Sequence, residues 1–226
     1  MAAGDLTPIQ GLVDPAVVKP YGANQQWRFS PARHGFVDQV LPTKAELVRM
    51  GKVFTVSGGV IANAVAAVVD MPTTATINGL YNGNTQASDI CLVMLKVSSY
   101  SASGTLGVGQ AMIAGIGSSP QSSAPAVGTG AVGPSNCLPT SSNKSNAVMT
   151  LAVALGGAAA WNVLGGSDNP AAAEIGAGAV SDLEGLYIVP PGYMFGAHVI
   201  GGTTAGKFLF SFVFAEYKLQ PQSRFA

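Results

Sequence analysis

From Val53 onward, apolar and polar positions alternate in short runs that are separated by Gly, Pro, Asn and Ser. Runs of four to ten residues with this period predict β-strands, and the residues between them predict turns. The pattern places nine strands at 52–56, 64–69, 75–81, 90–98, 106–115, 147–155, 184–189, 193–200 and 207–217. Helices that could connect parallel strands are missing from the pattern. We therefore expect an all-β fold, a jelly-roll-like antiparallel β-sandwich.

The run at 207–217 shows the alternation most clearly. Phe occupies every second position from 208 to 214, so four rings fall on one face of the strand. The opposite face carries the smaller side chains Leu209, Ser211 and Val213. We expect the Phe face to fill the sandwich core. The second face suits either a central strand covered by its own domain or a strand that contacts a second copy, which makes its three residues candidate contacts.

Residues 1–50 are predicted to form an extended N-terminal arm, followed by a sandwich domain at 51–226. The arm holds five of the fourteen prolines, which disfavour regular strands and helices, and no strand-like alternation appears before Val53. One helical turn is expected at 44–50. Aromatic residues on an arm need a surface on which to bury, and here they lie among basic ones: Trp27, Arg28, Phe29, Arg33 and Phe36. We expect these five to contact a neighbouring subunit or another protein, the alternative being their own domain.

Charged residues make up only 10% of the chain, where a soluble domain has roughly 25%. Residues 97–143 contain no Asp, Glu, Lys, Arg or His at all. A folded chain with so few charges either lies in lipid or has much of its surface against other protein. Within this stretch, residues 118–143 are rich in Ser, Pro, Gly and Ala and lack a strand pattern. They are expected to form an excursion that lies across a neighbour, the alternative being a flexible insertion.

The membrane hypothesis depends on residues 147–166, which are numerous enough to span a bilayer as a helix. This stretch contains four Gly and no flanking cluster of basic residues that would orient it. The first 30 residues lack the apolar core of a signal peptide. We therefore expect a protein made in the cytoplasm that does not bind membranes. The formal net charge of zero also argues against bulk binding of nucleic acid.

The residues that usually carry chemistry are few and scattered. The two histidines, His34 and His198, are far apart in sequence, and Asp182 and Glu184 form a carboxylate pair that could bind a cation or simply sit in an exposed turn. Cys91 and Cys137 belong to no CxxC motif, and a disulfide between them is not the expected state of a cytosolic product. The sequence predicts no enzyme activity, no cofactor and no metal site.

Two parts of the chain resemble structural proteins of tailed-bacteriophage particles. The first is Met71-Pro72-Thr73-Thr74-Ala75-Thr76, followed by Leu80-Tyr81-Asn82-Gly83-Asn84 and a strand that begins at Asp89-Ile90. The second is Val189-Pro190-Pro191-Gly192-Tyr193, a turn at Gly201–Gly206 and the aromatic strand ending in Ala215-Glu216. The resemblance covers residues 53–100 and 183–218. It implies a jelly-roll-like virion protein, such as a trimeric cement or decoration protein with an arm that reaches its neighbours.

The first functional hypothesis is therefore a capsid decoration protein on the virion surface. Its expected partners are further copies of itself, in a homotrimer, and the major capsid protein or other virion proteins. One alternative is a receptor- or carbohydrate-binding module of a fibre or tail, for which Tyr81, Tyr100, Trp161, Asp182 and Glu184 are the candidate residues. Another is the major capsid protein of a jelly-roll virus.

Overall fold

The computed structural model describes residues 27–29, 35–37, 44–58, 64–73, 76–103, 110–125, 133–167, 178–202, 204 and 206–218. The chain divides into two compact units, Met1–Glu46 and Leu47–Ala226.

The first unit contains a short antiparallel strand pair. Strand β1 (Trp27–Phe29) pairs with β2 (Gly35–Val37), and the register places Arg28 opposite Phe36. The prediction that strands begin only at Val53 was therefore wrong. Strands of three residues are too short to show an alternating pattern. The expected helical turn is confirmed as helix α1 (Lys44–Arg49).

In the described part of the second unit, twelve strands form two antiparallel sheets. The strands are β3 (Val53–Ser57), β4 (Val65–Ala66), β5 (Thr76–Asn82), β6 (Ile90–Ser103), β7 (Gln110–Ile116), β8 (Ser135–Asn136), β9 (Ala147–Ala154), β10 (Asn162–Ser167), β11 (Val180–Asp182), β12 (Ile188–Val189), β13 (Met194–Ile200) and β14 (Lys207–Lys218). One sheet has the order β10-β7-β13-β5-β9. The other has the order β11-β6-β14-β3-β8, with β12 also paired to β6 and β4 to β14.

Eight of these strands follow the connectivity of a jelly roll. Sheet orders β3-β14-β6-β11 and β5-β13-β7-β10 are those of an eight-stranded double Greek key. Strands β8 and β9 belong to an insertion at 117–161, between β7 and β10. Strand β8 extends one sheet beyond β3, and β9 extends the other beyond β5. The predicted all-β antiparallel sandwich is confirmed.

The core between the sheets is built on the alternating phenylalanines of β14. All four are buried in the main hydrophobic cluster, with Phe212 edge-to-face on Phe195 at 5.7 Å and Phe214 stacked on Phe54 at 5.9 Å. Strand β14 lies centrally, between β6 and β3.

The opposite face of β14 is largely covered by its own unit. Leu209 is fully buried, whereas Ser211 and Val213 are half-buried. Val213 packs on a second cluster that includes Leu47 and Val53. This covering agrees with the central-strand interpretation of the sequence. Contact of this face with a second copy stays a prediction.

A buried asparagine network joins the end of β5 to its neighbours. The side-chain amide of Asn82 donates to the carbonyls of Ile90 and Val189, both at 2.9 Å. Its Oδ1 accepts from the backbone N–H and the side-chain amide of Asn84, at 3.1 and 3.0 Å. Asn146, just before β9, donates to Oδ1 of Asn84 at 3.0 Å. The side-chain hydrogen-bonding groups of the two asparagines in the Leu80–Asn84 segment thus find partners inside the fold.

One sequence expectation requires correction. Residues 184–189 were expected to be one strand, but they form a turn followed by the two-residue β12, and β10 and β11 were not foreseen. The strand expected at 147–155 is confirmed as β9, and the residues from there to 166 form a connection and most of β10. Within the described ranges, no helix is long and apolar enough to cross a bilayer.

Candidate interaction surface

The two sheets end on the same side of the sandwich in strands that have one partner each. Among the described strands, β10 pairs only with β7, and β11 and β12 pair only with β6. The side-chain amide of Asn162 in β10 donates to the hydroxyl of Tyr187, next to β12, at 2.8 Å, which joins the two sheet margins. We call the surface formed by β10, β11 and residues 183–189 the open edge.

Large apolar side chains are exposed along the open edge. Val163 is 61% exposed, Val180 63%, Leu186 71% and Ile188 39%. At Gly165 of β10, a Cβ would meet no atom within 4 Å. An edge strand with exposed apolar side chains and free approach can pair with another chain.

The backbone of the open edge is held firmly against β6. Two backbone hydrogen bonds join the turn after β11 to β6. The N–H of Leu183 donates to the Leu95 carbonyl at 2.8 Å, and the N–H of Gly185 donates to the Met94 carbonyl at 2.9 Å. Glu184 takes a φ of 49°, a left-handed conformation that costs a non-glycine residue roughly 1–2 kcal/mol. The hydrogen bonds on either side of it fix this conformation.

Tyr187 anchors the open edge in the core. Its ring is buried and packs edge-to-face on Phe195 at 5.3 Å. Its hydroxyl lies 3.4 Å from the Ala114 carbonyl of β7 while it accepts from Asn162. The tyrosine therefore links the β12 side of one sheet to β7 and β10 of the other. The exposed apolar residues are displayed on a rigid support.

The open edge carries little charge, and the charge that it carries is acidic. Strand β10 has none, and the rest of the open edge contains the acids Asp182 and Glu184 and neither Lys nor Arg. Lys96 of β6 lies opposite Asp182 in the register and offsets one of these charges. Charged side chains and prolines are the usual protection of an edge strand. Neither occurs in β10, where a register shift between Val163 and Gly165 is the one irregularity in its pairing with β7.

On the other side of the sandwich, the insertion adds β8 beside β3 and β9 beside β5, so that β8 and β9 end the sheets; we call this side the closed edge. The side-chain amide of Asn136 in β8 donates to the Gly51 carbonyl at 2.9 Å, and Asn143 donates to the same oxygen at 3.0 Å. Near the end of β9, the side-chain amide of Gln121 donates to the Ala154 carbonyl at 3.0 Å. Side chains here satisfy backbone groups that would otherwise remain unpaired.

The excursion predicted at 118–143 packs at both described ends on its own unit. The N–H of Ser119 donates to the Gly156 carbonyl at 3.0 Å, and that of Gln121 to the Gly192 carbonyl at 2.9 Å. The excursion also contains strand β8, which the sequence did not indicate. Its contact with a neighbouring chain stays a prediction.

The residues selected from the sequence fall in both units. In the first unit, Trp27, Arg28 and Phe29 form β1 and Phe36 lies in β2, while Arg33 lies outside the described residues. In the second unit, Leu209, Ser211 and Val213 lie on β14. The exposed residues of the open edge were missed by sequence reasoning. Isolated valines beside glycine and serine show no pattern, and their edge position depends on strand order.

Across the described ranges, no group of three or more His, Cys, Asp or Glu could hold a metal ion. His198 is buried, with its Nδ1 2.9 Å from the backbone nitrogen of Val199. The candidate glycan-binding aromatics Tyr81, Tyr100 and Trp161 are each half-buried.

Both cysteines are free thiols. Cys91 lies in β6, opposite Tyr217, and the N–H of Cys137 donates to the Val53 carbonyl at 2.9 Å. Three strand spacings of about 4.8 Å therefore separate them, more than a disulfide can bridge. Burial raises the pKa of both thiols, and nearby Asp89 adds to the rise at Cys91.

Comparison of the chain with protein-family models, curated proteins and solved structures gave no match. The fold and the asymmetry between its two edges are therefore the basis for a functional proposal.

Proposed function

We propose that this chain is a structural subunit of a bacteriophage particle, a capsid decoration protein that stabilises the head by oligomerising and by contacting neighbours through its arm. The observation that carries the proposal is the open edge, a strand margin with four exposed apolar side chains and few charges, on a sandwich whose other margin is extended by the chain's own insertion. The resemblance of residues 53–100 and 183–218 to structural proteins of tailed phages supports the proposal that the assembly is a bacteriophage particle.

The mechanism is adhesion. Apolar surface contributes roughly 25 cal/mol for each Å² removed from water, so contacts of ordinary size are stable without ion pairs. Repetition of a weak contact over a symmetric shell adds avidity. A 10% share of charged residues suits a protein that has much of its surface in permanent contact with other protein.

The alternative of a carbohydrate-binding fibre or tail module has no specific observation in its favour. A glycan platform needs exposed aromatic rings, and the three candidate rings are half-buried.

The proposal is tested with phage heads that lack this protein. We expect the purified full chain to cosediment with such heads, and to raise the temperature at which they release DNA. A variant without residues 1–43 should bind them more weakly, because the arm supplies part of the contact. Full-chain protein that neither cosediments with the heads nor self-associates at high concentration would overturn the proposal.

A further inference from the structure

We propose that the open edge is the acceptor for the β1–β2 arm of a second copy of this chain, so that subunits join head to tail. This inference rests on the proposed function, since it names the contact through which the subunits would oligomerise.

The acceptor side offers an edge strand for backbone pairing and an exposed apolar surface. Strand β10 pairs with β7 alone among the described strands, and the face of β10 at Gly165 is open, since a Cβ there would meet no atom within 4 Å. Val163 and Val180, each more than 60% exposed, lie on the adjacent margins of the two sheets. An added strand would satisfy unpaired backbone groups and cover these side chains, as in peptide recognition by β-augmentation.

The donor side is a strand pair with no sheet of its own in the described part of the first unit. An isolated two-stranded hairpin is marginally stable in water and needs a surface on which to pack. Here the segment 27–37 supplies three aromatic residues, Trp27, Phe29 and Phe36. Such residues dominate the energetics of protein interfaces.

The charges of the two sides are complementary. Residues 27–37 contain Arg28 and Arg33 and no acid, whereas the open edge contains Asp182 and Glu184 and neither Lys nor Arg. This difference favours the arm over a second open edge as occupant, because a second open edge would bring no basic residue to these two acids. A donor–acceptor contact is heterologous and closes into a ring when the rotation between subunits permits.

Two double variants of the full chain separate donor from acceptor. The arm variant Trp27→Ala/Phe36→Ala keeps the open edge, and the edge variant Val163→Asp/Val180→Asp keeps the arm. Val69→Asp is the matched control, because Val69 is 52% exposed but lies outside the open edge. Native mass spectrometry and sedimentation velocity report the assemblies, and circular dichroism checks the fold.

We expect wild-type protein and Val69→Asp to self-associate equally, and each double variant to associate at least about tenfold more weakly, which corresponds to about 1.4 kcal/mol. An equimolar mixture of the arm and edge variants should form one-to-one dimers, since one chain still donates an arm and the other still accepts it. An arm that folds onto its own edge would instead leave the wild-type protein monomeric. Where the Asp pair impairs folding, Val163→Thr/Val180→Thr replaces it.

Assembly of the edge variant at wild-type strength would overturn the inference, as would a mixture that stays monomeric. Binding to phage heads then distinguishes the two proposals. If wild-type protein binds heads and self-associates while the edge variant does both equally well, only the arm-to-edge contact is wrong. If wild-type protein does neither, both proposals fail.

Discussion

The two margins of the sandwich differ in how their backbone and apolar groups are covered. At the closed edge, β8 and β9 of the insertion lie beside β3 and β5, and amides such as Asn136 and Gln121 satisfy backbone carbonyls. At the open edge, β10 and β11 end their sheets with Val163 and Val180 exposed. The same chain thus extends one edge with its own insertion and leaves apolar side chains exposed at the other. The closed edge should contribute to folding stability, and the open edge to association.

The largest expected effect is that of Asn82→Ala, at the junction between β5 and the start of the closed edge. The substitution leaves two buried carbonyls without their donor and removes the acceptor of Asn84. Because each unsatisfied buried group costs roughly 1–3 kcal/mol, we expect a loss of about 3 kcal/mol in the free energy of unfolding. Urea denaturation measures it, with Asn162→Ala as the exposed control. A loss equal to that of the control would contradict the structural role of the network.

Asn136→Ala tests the closed edge itself. It removes the donor to the Gly51 carbonyl and the acceptor of the Leu138 N–H, which lies 2.8 Å from Oδ1. We expect a loss of about 1–2 kcal/mol in the free energy of unfolding, read from the midpoint of urea denaturation. Asn143→Ala should cost less, because Asn143 is exposed and Asn136 still donates to Gly51. If Asn143→Ala proves the more costly, the closed edge does not depend on Asn136.

Val163→Thr and Val180→Thr test the open edge in the isolated subunit. Both side chains are exposed, so each substitution should change the free energy of unfolding by less than about 0.5 kcal/mol. Val189→Thr is the matched control, because Val189 in β12 is fully buried and a hydroxyl there should cost more than about 1 kcal/mol. Thermal unfolding at a concentration too low for association gives the comparison. Equal losses at the three positions would mean that the open edge is part of the folding core.

The smallest expected effect concerns the thiols. Since burial raises the pKa of both cysteines, less thiolate is present at pH 8 than in an unfolded chain, and alkylation by iodoacetamide should be slower. The rate should rise as the pH passes through the raised pKa. Burial of the neutral thiol stabilises the fold below the unfolded pKa, and this contribution is lost as the pH increases. Cys137→Ser isolates Cys91, and a native rate equal to the denatured rate would contradict the raised pKa.

The sequence predicted the fold better than it predicted the surface. The Phe alternation of β14 and the apolar runs of β6 and β13 identify buried strands, because burial on a period of two is a local signal. Helix α1 was also expected. Strands β8 and β11 have two or three residues and were missed, and β12 was predicted four residues too long. The pairing of these strands depends on β3 and β6, which lie far away in sequence.

The open edge could not be predicted for a related reason. Val163 and Val180 are ordinary in their local sequence, and what exposes them is the order of strands in the two sheets. The arm residues Trp27, Arg28, Phe29, Arg33 and Phe36 were selected from composition alone. Their contact with another chain stays a prediction that the mixing experiment tests.

The insertion at 117–161 also determines which strands end the two sheets on its side of the fold. In place of β3 and β5, the terminal strands there are β8 and β9, each with one partner among the described strands. Strand β8 has two residues, whereas β9 has eight. A very short terminal strand offers few backbone groups to a further strand. The insertion therefore caps the sheet of β3 on that side, while it lengthens the sheet of β5 by a full strand.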